Sequence, residues 1–234
     1  MLNTTTNVVE KSLQTNPGLY GAALSVNGKF LHVVHPDSEF VDTIEISTGQ
    51  TVSDGVGVKA YGLSMGSGGK MYAACALDDS IEVFGVVSIS ALFEAGLLDS
   101  VVRSIARLNG VDFPVALVAS PDGSRLYVSN YFSGTVQVID ITEEKVGDFT
   151  SNATVVATIP VSPNPYGITA DAKRVFVAHF LHDNIVSIID TASHSVTRII
   201  DVSHGPVRGV AVTPDGARLY VTNYFESSVS IITL

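Results

Sequence analysis

Nearly the same string of eleven residues occurs twice in this chain of 234 residues. Residues 121–131 read PDGSRLYVSNY and residues 214–224 read PDGARLYVTNY, so that nine of the eleven positions are identical. Looser copies begin at Asn27, Gly69 and Ala172, which makes five copies in all. Repeats of this kind form one structural unit each, and neighbouring units stack to bury a shared core. The chain is therefore expected to fold as an array of five similar units.

Each copy has the pattern of an antiparallel β-sheet. In two copies the turn is Pro-Asp-Gly, where Pro fixes one φ angle and Gly supplies a positive one. β-branched residues on both sides of the turn alternate with polar ones, which is typical of strands. The pattern predicts third strands at 41–46, 81–87, 136–141, 185–189 and 229–233, and fourth strands most clearly at 155–161 and 196–202. Four antiparallel strands in about 40–50 residues are typical of a blade of a β-propeller.

The sequence thus predicts an all-β fold, a five-bladed β-propeller that forms a single domain over residues 1–234. The predicted four-stranded antiparallel blades span residues 17–58, 59–111, 112–162, 163–204 and 205–234 plus 1–16. Each first strand has a small residue where the strands converge on the axis: Gly21, Gly62, Ala116, Gly167 and Gly209. The longer second and third units have room for a short helix at 90–96 and a polar loop at 143–152. Because the fifth copy lacks a fourth strand, we expect residues 4–13 to complete the last blade and remove its open edge.

Composition excludes several classes of protein. Acidic residues outnumber basic ones by 23 to 13, for a formal net charge of −10, so no basic surface for nucleic acid is expected. No apolar run is long enough to cross a membrane. The single Cys75 excludes an internal disulfide. The N-terminus has neither the basic nor the apolar region of a signal peptide, which predicts a cytoplasmic protein. The protein is expected to be a monomer or a small homo-oligomer.

The segments Leu219–Asn223 and Leu126–Asn130, each after Pro-Asp-Gly, resemble the YVTN-type β-propeller repeat family. The segment Val136–Asp140 extends the similarity. Relatives in that family include surface-layer-type proteins, lactonase-like enzymes and streptogramin lyase-like enzymes, mostly with more than five blades. The resemblance implies a propeller. It implies no particular activity, because its motifs consist of turn and core residues, and no catalytic residue is carried over.

The residues just before the five small anchor residues are candidates for a site at one end of the axis. They are Tyr20, Tyr61, Val115, Tyr166 and Arg208. Three phenols and a guanidinium around one axis would bind a small anionic ligand or a polarised carbonyl group, with Arg208 and Tyr166 in catalytic roles and Tyr20 and Tyr61 as binding residues. Alternatively, the tyrosines fill the axis of a small propeller.

A second set of candidates lies where each second strand ends, at His35, Cys75, Asn130, His179 and Asn223. Three residues after His179 and Asn223 lie His182 and Glu226, and Asp78 has the equivalent position in the second copy. The pair His179 and His182, with Glu226, could bind a divalent metal or transfer protons, while His35, Asp78 and Glu226 could contact substrate. No other cofactor is predicted. The simpler interpretation is that these residues form hydrogen bonds within turns.

Three functions follow from these candidates. The first is a small-molecule enzyme of the lyase, isomerase, cyclase or hydrolase type that acts at the axial funnel. The second is a non-catalytic propeller that binds a ligand or a protein. The third is a glycan-processing enzyme, which would need two opposed carboxylates such as Asp78 and Glu226. The first is preferred, because polar residues vary at positions that a purely structural repeat would keep constant.

Overall fold

The fold is known from a computed structural model, which describes residues 2–3, 5–6, 8–37, 39–56, 59–86, 102–142, 154–181, 184–202, 205 and 207–234. Two short strands, β1 (Leu2–Asn3) and β2 (Val8–Val9), precede the repeats. Blade 1 consists of β3 (Ala22–Leu24), β4 (Phe30–His35), β5 (Phe40–Glu45) and β6 (Thr51–Gly55). Blade 2 consists of β7 (Gly62–Met65), β8 (Lys70–Cys75), β9 (Ser80–Val86) and β10 (Val102–Asn109), with 3₁₀ turns at Ser67–Gly69 and Ala76–Asp78.

The remaining blades repeat this pattern. Blade 3 consists of β11 (Pro114–Ala119), β12 (Arg125–Asn130), β13 (Thr135–Asp140) and β14 (Thr154–Pro160). Blade 4 consists of β15 (Pro165–Ala170), β16 (Arg174–His179), β17 (Ile185–Asp190) and β18 (Ser195–Asp201). Blade 5 consists of β19 (Val207–Val212), β20 (Arg218–Asn223) and β21 (Ser228–Thr233). All neighbouring strands within a blade are antiparallel, which confirms the predicted five-bladed β-propeller.

The small anchor residues allow successive innermost strands to approach closely. A Cβ on Gly21 would lie 2.6 Å from the Tyr61 carbonyl oxygen of blade 2, and a Cβ on Gly62 would lie 2.7 Å from the Ala116 Cα of blade 3. A Cβ on Gly167 would clash with the Arg208 carbonyl oxygen of blade 5. Real side chains do not reach such distances. The backbones of successive blades therefore pack against each other at the axis only because these positions lack larger side chains.

Apolar side chains fill the space between successive blades in four clusters. One cluster, for example, joins Tyr127 and Val138 of blade 3 to Val175 and Ile189 of blade 4, and all four side chains are buried. Alternation along the strands places one set of residues toward the preceding blade and the next set toward the following blade. We call these two sides of a blade its back face and its front face. The core is thus divided among the interfaces between blades.

The expectation that residues 4–13 complete the last blade is wrong. In the described part of the chain β2 pairs with β1, and blade 5 contains three strands. The N-terminal segment instead crosses the back face of blade 1, where the Lys11 Nζ donates to the Ile46 carbonyl oxygen at 2.5 Å and the Asn16 Nδ2 donates to the Asp42 Oδ2 at 3.1 Å. These hydrogen bonds hold residues 11–16 against blade 1, so the segment does not lie along β21.

The first and the fifth blade are joined less closely than the others. The innermost strands pack in the series β3, β7, β11, β15 and β19, but β19 makes no comparable contact with β3. A methyl group at Gly209 would contact only Thr222 of its own blade within the described residues. The predicted helix at 90–96 and the predicted loop at 143–152 both lie outside those residues. None of the described segments forms a helix of the length and hydropathy that crossing a membrane requires.

Candidate functional site

A backbone irregularity at the start of the first strand carries each candidate residue to the axis in blades 3, 4 and 5. In blade 4 the pairing jumps from Pro165–His179 to Ile168–Val177, so that two residues oppose one. The same jump occurs in blade 5 around Arg208 and in blade 3 around Val115. Bulges of this kind bend the strand and redirect a side chain. The Thr222 hydroxyl accepts a hydrogen bond from the Gly209 N–H at 2.8 Å and so supports the bulge of blade 5.

The axis contains a cavity of about 340 Å³ whose wall comes from all five blades. The four predicted binding and catalytic residues of the anchor set lie together at this cavity or at its mouth. The Tyr20 and Tyr61 rings meet edge to face with their centroids 5.3 Å apart, and both line the cavity with Arg208. Tyr166 lies beside them through its contact with Arg208. The register of the repeat therefore identified one connected group of residues.

Arg208 is the centre of this group. Its Nη2 donates to the Tyr166 hydroxyl oxygen at 3.0 Å. Its guanidinium carbon also lies 4.8 to 5.7 Å from the centres of four aromatic rings, those of Tyr20, Tyr166, Phe180 and Tyr224. A cation over the face of an aromatic ring is stabilised by the electrons of that ring. The surrounding rings thus hold the guanidinium in place while replacing part of its hydration.

The charge of Arg208 is balanced without a carboxylate. Arg107, Arg125 and Arg174 each pair with an acidic side chain, whereas Arg208 takes part in no ion pair among the described residues. Burial opposes the charged form, but the Tyr166 and Tyr20 hydroxyls outweigh this effect and raise the pKa of Arg208. A half-buried cation that has only neutral partners is suited to binding an anion or a polarised carbonyl oxygen.

The phenols near Arg208 act as hydrogen-bond donors at neutral pH. Burial raises the pKa of Tyr166 above its ordinary value of 10.0, despite the opposing effect of Arg208. Burial, with smaller contributions from Tyr20 and Asp37, also raises the pKa of Tyr61. Because the Tyr166 oxygen already accepts a hydrogen bond from Arg208, its own O–H is available to a ligand oxygen.

An arc of aromatic rings, which the sequence did not predict, lies against Arg208 at the cavity mouth. Successive ring centroids are 5.2 to 6.1 Å apart along the series Phe132, Tyr131, Tyr166, Phe180, Tyr224 and Phe225. The two ends of this aromatic arc are exposed, Phe132 by 70% and Phe225 by 67%. The arc therefore adds an apolar surface directly beside Arg208.

A signal for the aromatic arc is present in the repeat itself. The last residue of the second strand is followed by Tyr131-Phe132 in blade 3, Phe180-Leu181 in blade 4 and Tyr224-Phe225 in blade 5. Blades 1 and 2 have Pro36-Asp37 and Ala76-Leu77 at the same positions. Apolar pairs in exposed loops are informative because loops are usually polar.

His35 and His179 lie inside their blades and not at the cavity mouth. The side chains are almost fully buried. The His179 Nδ1 donates to the Pro163 carbonyl oxygen at 3.0 Å, and its Nε2 contacts the Ser187 Oγ at 2.9 Å. The His35 Nε2 contacts the Asp42 Oδ2 at 3.0 Å. These hydrogen bonds give both histidines a structural role within their blades. The catalytic role of His179 and the substrate-binding role of His35 stay predictions.

The asparagines of blades 3 and 5 make the same link. The Asn130 Nδ2 donates to the Gln137 Oε1 at 3.0 Å, and the Asn223 Nδ2 donates to the Ser230 Oγ at 2.9 Å. In each blade the end of the second strand is therefore joined to the early part of the third strand. Cys75 has the equivalent position in blade 2, where burial raises the pKa of its thiol to about 12, so it remains a protonated thiol.

Asp78 and Glu226 are exposed, in the turns after the second strands of blades 2 and 5, and neither is part of the wall of the axial cavity. His182 lies outside the described residues. Within the described residues no three His, Cys, Asp or Glu side chains are arranged as metal ligands. The metal site suggested for His179, His182 and Glu226 stays a prediction.

The chain matches no protein-family model and no curated protein. Among solved structures, it is similar to hydrazine synthase of Kuenenia stuttgartiensis, with a TM-score of 0.67 and 22% identity over 92% of this chain and 58% of that chain. It is also similar to the Cps50 (Swd1) β-propeller domain of Myceliophteria thermophila, with a TM-score of 0.69 and 11% identity over 100% of this chain and 89% of that chain. The chain thus spans less than two thirds of the hydrazine synthase chain. At these identities the similarities show the β-propeller fold alone.

Proposed function

We propose that this propeller binds a small molecule with an anionic or strongly polarised oxygen at the mouth of its axial cavity. The observation that carries the proposal is Arg208, a half-buried cation whose partners are the Tyr166 hydroxyl and four ring faces. A ligand oxygen would receive hydrogen bonds from the guanidinium and from the Tyr166 O–H. Two converging donors of this kind fix the position of a carboxylate or carbonyl group.

The surroundings of Arg208 indicate the rest of the ligand. The cavity volume of about 340 Å³ suits a molecule of metabolite size and lies at the lower end of the range of about 300–1,000 Å³ for ligand pockets. The aromatic arc beside it would contact an apolar part. We therefore expect a ligand with an acidic or carbonyl head at Arg208 and an aromatic or aliphatic body along the arc.

Binding is better supported than proton transfer at this site. The pKa values of Tyr61 and Tyr166 are raised, so neither phenol is a base near neutral pH. His35 and His179, the other candidates for proton transfer that the structure describes, lie inside their blades. Catalysis of the lyase or isomerase type remains a second candidate, because Arg208 and Tyr166 would stabilise negative charge that develops on an oxygen.

Calorimetric titration with phenylacetate, benzoate and decanoate tests the proposal. Loss of a charge-assisted hydrogen bond of about 1.5–3 kcal/mol predicts affinity that is weaker by roughly 10- to 100-fold in Arg208→Ala. Tyr166→Phe, which removes one donor and keeps the ring, should weaken binding roughly tenfold or less. Arg198→Ala is the matched control, because Arg198 is an exposed arginine on the outer strand of blade 4.

Three results would contradict the proposal. The first is that none of the carboxylates binds to the wild-type protein. The second is that Arg198→Ala weakens binding as much as Arg208→Ala. The third is that Arg208→Ala binds normally while its melting temperature equals that of the wild type. Consumption of a bound ligand by the wild-type protein but not by Tyr166→Phe would instead favour the catalytic candidate.

A further inference from the structure

A second cavity lies between blades 3 and 4, at the end of the propeller opposite the aromatic arc. Its volume is about 580 Å³, and it is bordered by the turn 120–124 of blade 3 and the turns 171–172 and 191–194 of blade 4. These turns follow the ends of first and third strands, whereas the aromatic arc follows the ends of second strands, which run the other way. We call this cavity the blade 3–4 groove. It shares no lining residue with the axial cavity.

The Tyr127 side chain lines the groove, and its hydroxyl group has no hydrogen-bond partner among the described residues. The residue is only 2% exposed, because its ring packs between blades 3 and 4. Burial and the nearby charge of Asp122 raise the pKa of Tyr127 above 10.0, so the phenol stays protonated. A buried polar group without a partner is costly, and most such groups are paired. A ligand in the groove would supply the missing partner.

Blade 4 shows which chemical group suits the equivalent position. There Phe176 takes the place of Tyr127, and the guanidinium carbon of Arg174 lies 5.1 Å from the centre of the Phe176 ring. The Arg174 Nη2 also donates to the Asp171 Oδ2 at 2.7 Å and to the Gly216 carbonyl oxygen of blade 5 at 2.8 Å. A guanidinium of the chain itself therefore contacts an aromatic ring, a carboxylate and the next blade at once.

Blade 3 supplies no such cation to Tyr127. Arg125 occupies the position of Arg174, but its Nη1 lies 2.8 Å from the Oδ2 of Asp140 in the third strand of its own blade. Among the described residues, the Arg125 guanidinium lies over no aromatic ring. The groove beside Tyr127 thus lacks the guanidinium that the neighbouring blade provides to Phe176.

The charges around the blade 3–4 groove favour a cation. The Asp122 Oδ1 accepts hydrogen bonds from the hydroxyls of Ser120 and Ser124 at 2.6 and 2.9 Å, which helps to lower its pKa to about 2. Asp122 is therefore ionised at neutral pH, and it forms no ion pair with a described residue. The arginines of the two neighbouring turns are already paired with carboxylates of their own blades. The carboxylate of Asp122 is thus the charge at the groove that a ligand would balance.

We propose that the blade 3–4 groove binds a small organic cation of the alkylguanidinium type. Its head would lie against Tyr127 and donate to the Tyr127 hydroxyl oxygen and the Asp122 Oδ2, as the internal guanidinium of blade 4 contacts its own ring and carboxylate. A planar guanidinium has donors in a fixed fork and so pairs with two acceptors together. The alkyl chain would lie along Pro121, Ala172 and Ala192, which border the groove.

Calorimetric titration of the full chain with butylguanidinium and butylurea tests the charge requirement. The two probes have nearly the same shape, but butylurea is neutral. Butylguanidinium should bind the wild-type protein with a Kd of about 1 mM or lower, and butylurea at least about tenfold more weakly. Equal affinities of the two probes, or no binding of butylguanidinium, would overturn the proposal.

Three substitutions test the residues. Asp122→Asn removes the charge but keeps an oxygen for the turn, and it should weaken butylguanidinium binding about tenfold or more. Tyr127→Phe introduces the side chain that blade 4 has at this position and should weaken binding roughly two- to tenfold. Asp215→Asn is the matched control, because the Asp215 Oδ1 accepts from the Thr213 hydroxyl in the equivalent turn of blade 5, and it should bind as the wild type does. Equal affinities of the Asp122 and Asp215 variants would refute the assignment.

Nuclear magnetic resonance spectra of the wild-type protein locate the cation without any substitution. Titration with butylguanidinium should shift the backbone amide signals of Ser124 and Ala192 at the groove and leave those of Tyr166 and Tyr224 in place. Shifts at Tyr166 and Tyr224 alone would place the cation on the aromatic arc, where rings also attract cations, and would contradict the proposal.

Discussion

Acid should destabilise this propeller through one buried histidine, His32, before it affects the carboxylates. His32 lies on the front face of blade 1 with its side chain fully buried, and its Nδ1 lies 3.0 Å from the Thr43 Oγ1. The Nε2 is buried and has no hydrogen-bond partner among the described residues. Burial lowers the pKa of His32 from 6.5 to about 4. The folded protein therefore holds this imidazole neutral over a range in which the unfolded chain binds a proton.

The sign and the size of the change in the free energy of unfolding follow from the difference between the pKa of His32 in the folded and the unfolded chain. Above pH 6.5 the imidazole is neutral in both states and does not change stability. As the pH falls toward 4, the unfolded chain takes up a proton that the folded chain does not, so the free energy of unfolding decreases. A difference of about 2.5 in pKa corresponds to about 3 kcal/mol, and about 2–3 kcal/mol of it should be lost between pH 7 and pH 4.5.

Protonation of the carboxylates lowers the free energy of unfolding only at more acidic pH and does not obscure the loss caused by His32. Hydrogen bonds from Ser120 and Ser124 lower the pKa of Asp122 to about 2, and hydrogen bonds within turns also lower the pKa values of Asp140, Asp190 and Asp215. Groups with lowered pKa values stabilise the fold above their ordinary pKa of 3.8 and lose this contribution only as the pH falls below it. The interval from pH 6.5 to 4.5 therefore reports mainly on histidine.

Urea denaturation at several pH values measures the effect, with unfolding followed by far-ultraviolet circular dichroism because the chain lacks Trp. The informative variant is His32→Phe, since blade 4 has the buried Phe176 at the same position of the repeat. The comparison uses the change in stability from pH 7 to pH 4.5 and not the absolute stability, because the variant also loses the contact with Thr43. If the wild type and His32→Phe lose the same stability over this interval, the reasoning is refuted.

Three further tests by urea denaturation concern the packing and the hydrogen bonds of the blades. Gly62→Ala would place a Cβ 2.7 Å from the Ala116 Cα and should cost roughly 1–3 kcal/mol, whereas Gly55→Ala, whose Cβ would meet nothing nearer than a Phe40 ring carbon at 3.4 Å, should cost less. Asp42→Ala removes the buried carboxylate that contacts His35, Asn16 and Ser53 and should cost about 3–5 kcal/mol; a loss below about 1 kcal/mol would argue against that network. His179→Asn should retain most of the stability that His179→Ala loses, roughly 1–3 kcal/mol, because asparagine makes the same cross-strand link in blades 3 and 5. Equal losses in both His179 variants would show that packing, and not the hydrogen bond, is what the histidine provides.

The sequence predicted the features that each unit of the repeat determines locally. The glycines at positions 21, 62 and 167 were identified because every copy requires a small residue at the same register, and the structure shows the backbone contacts that cause this requirement. The same register identified Tyr20, Tyr61, Tyr166 and Arg208 as one group. A β-bulge was not visible in the sequence, yet it changes only the direction of a side chain whose position along the strand was already known.

The sequence could not determine contacts in which two segments compete for one partner. The pattern of residues 4–13 resembles that of residues 191–200, which include most of the outer strand of blade 4. This local pattern does not show which strand residues 4–13 pair with. In the folded chain Lys11 and Asn16 of the N-terminal segment donate hydrogen bonds to the Ile46 carbonyl oxygen and the Asp42 carboxylate of blade 1. These are single side-chain contacts between distant parts of the chain, and a repeat alignment contains no information about them.

In a repeat, residues of the same type at equivalent positions can also have different environments. Val186 of blade 4 and Val229 of blade 5 occupy the same position of the repeat, but Val186 is fully buried while Val229 is 50% exposed. A pattern that is copied along an array predicts burial correctly only where a neighbouring unit follows. Within the described residues no blade packs against the front face of blade 5, so side chains at positions that form the core in blades 1 to 4 are partly exposed there.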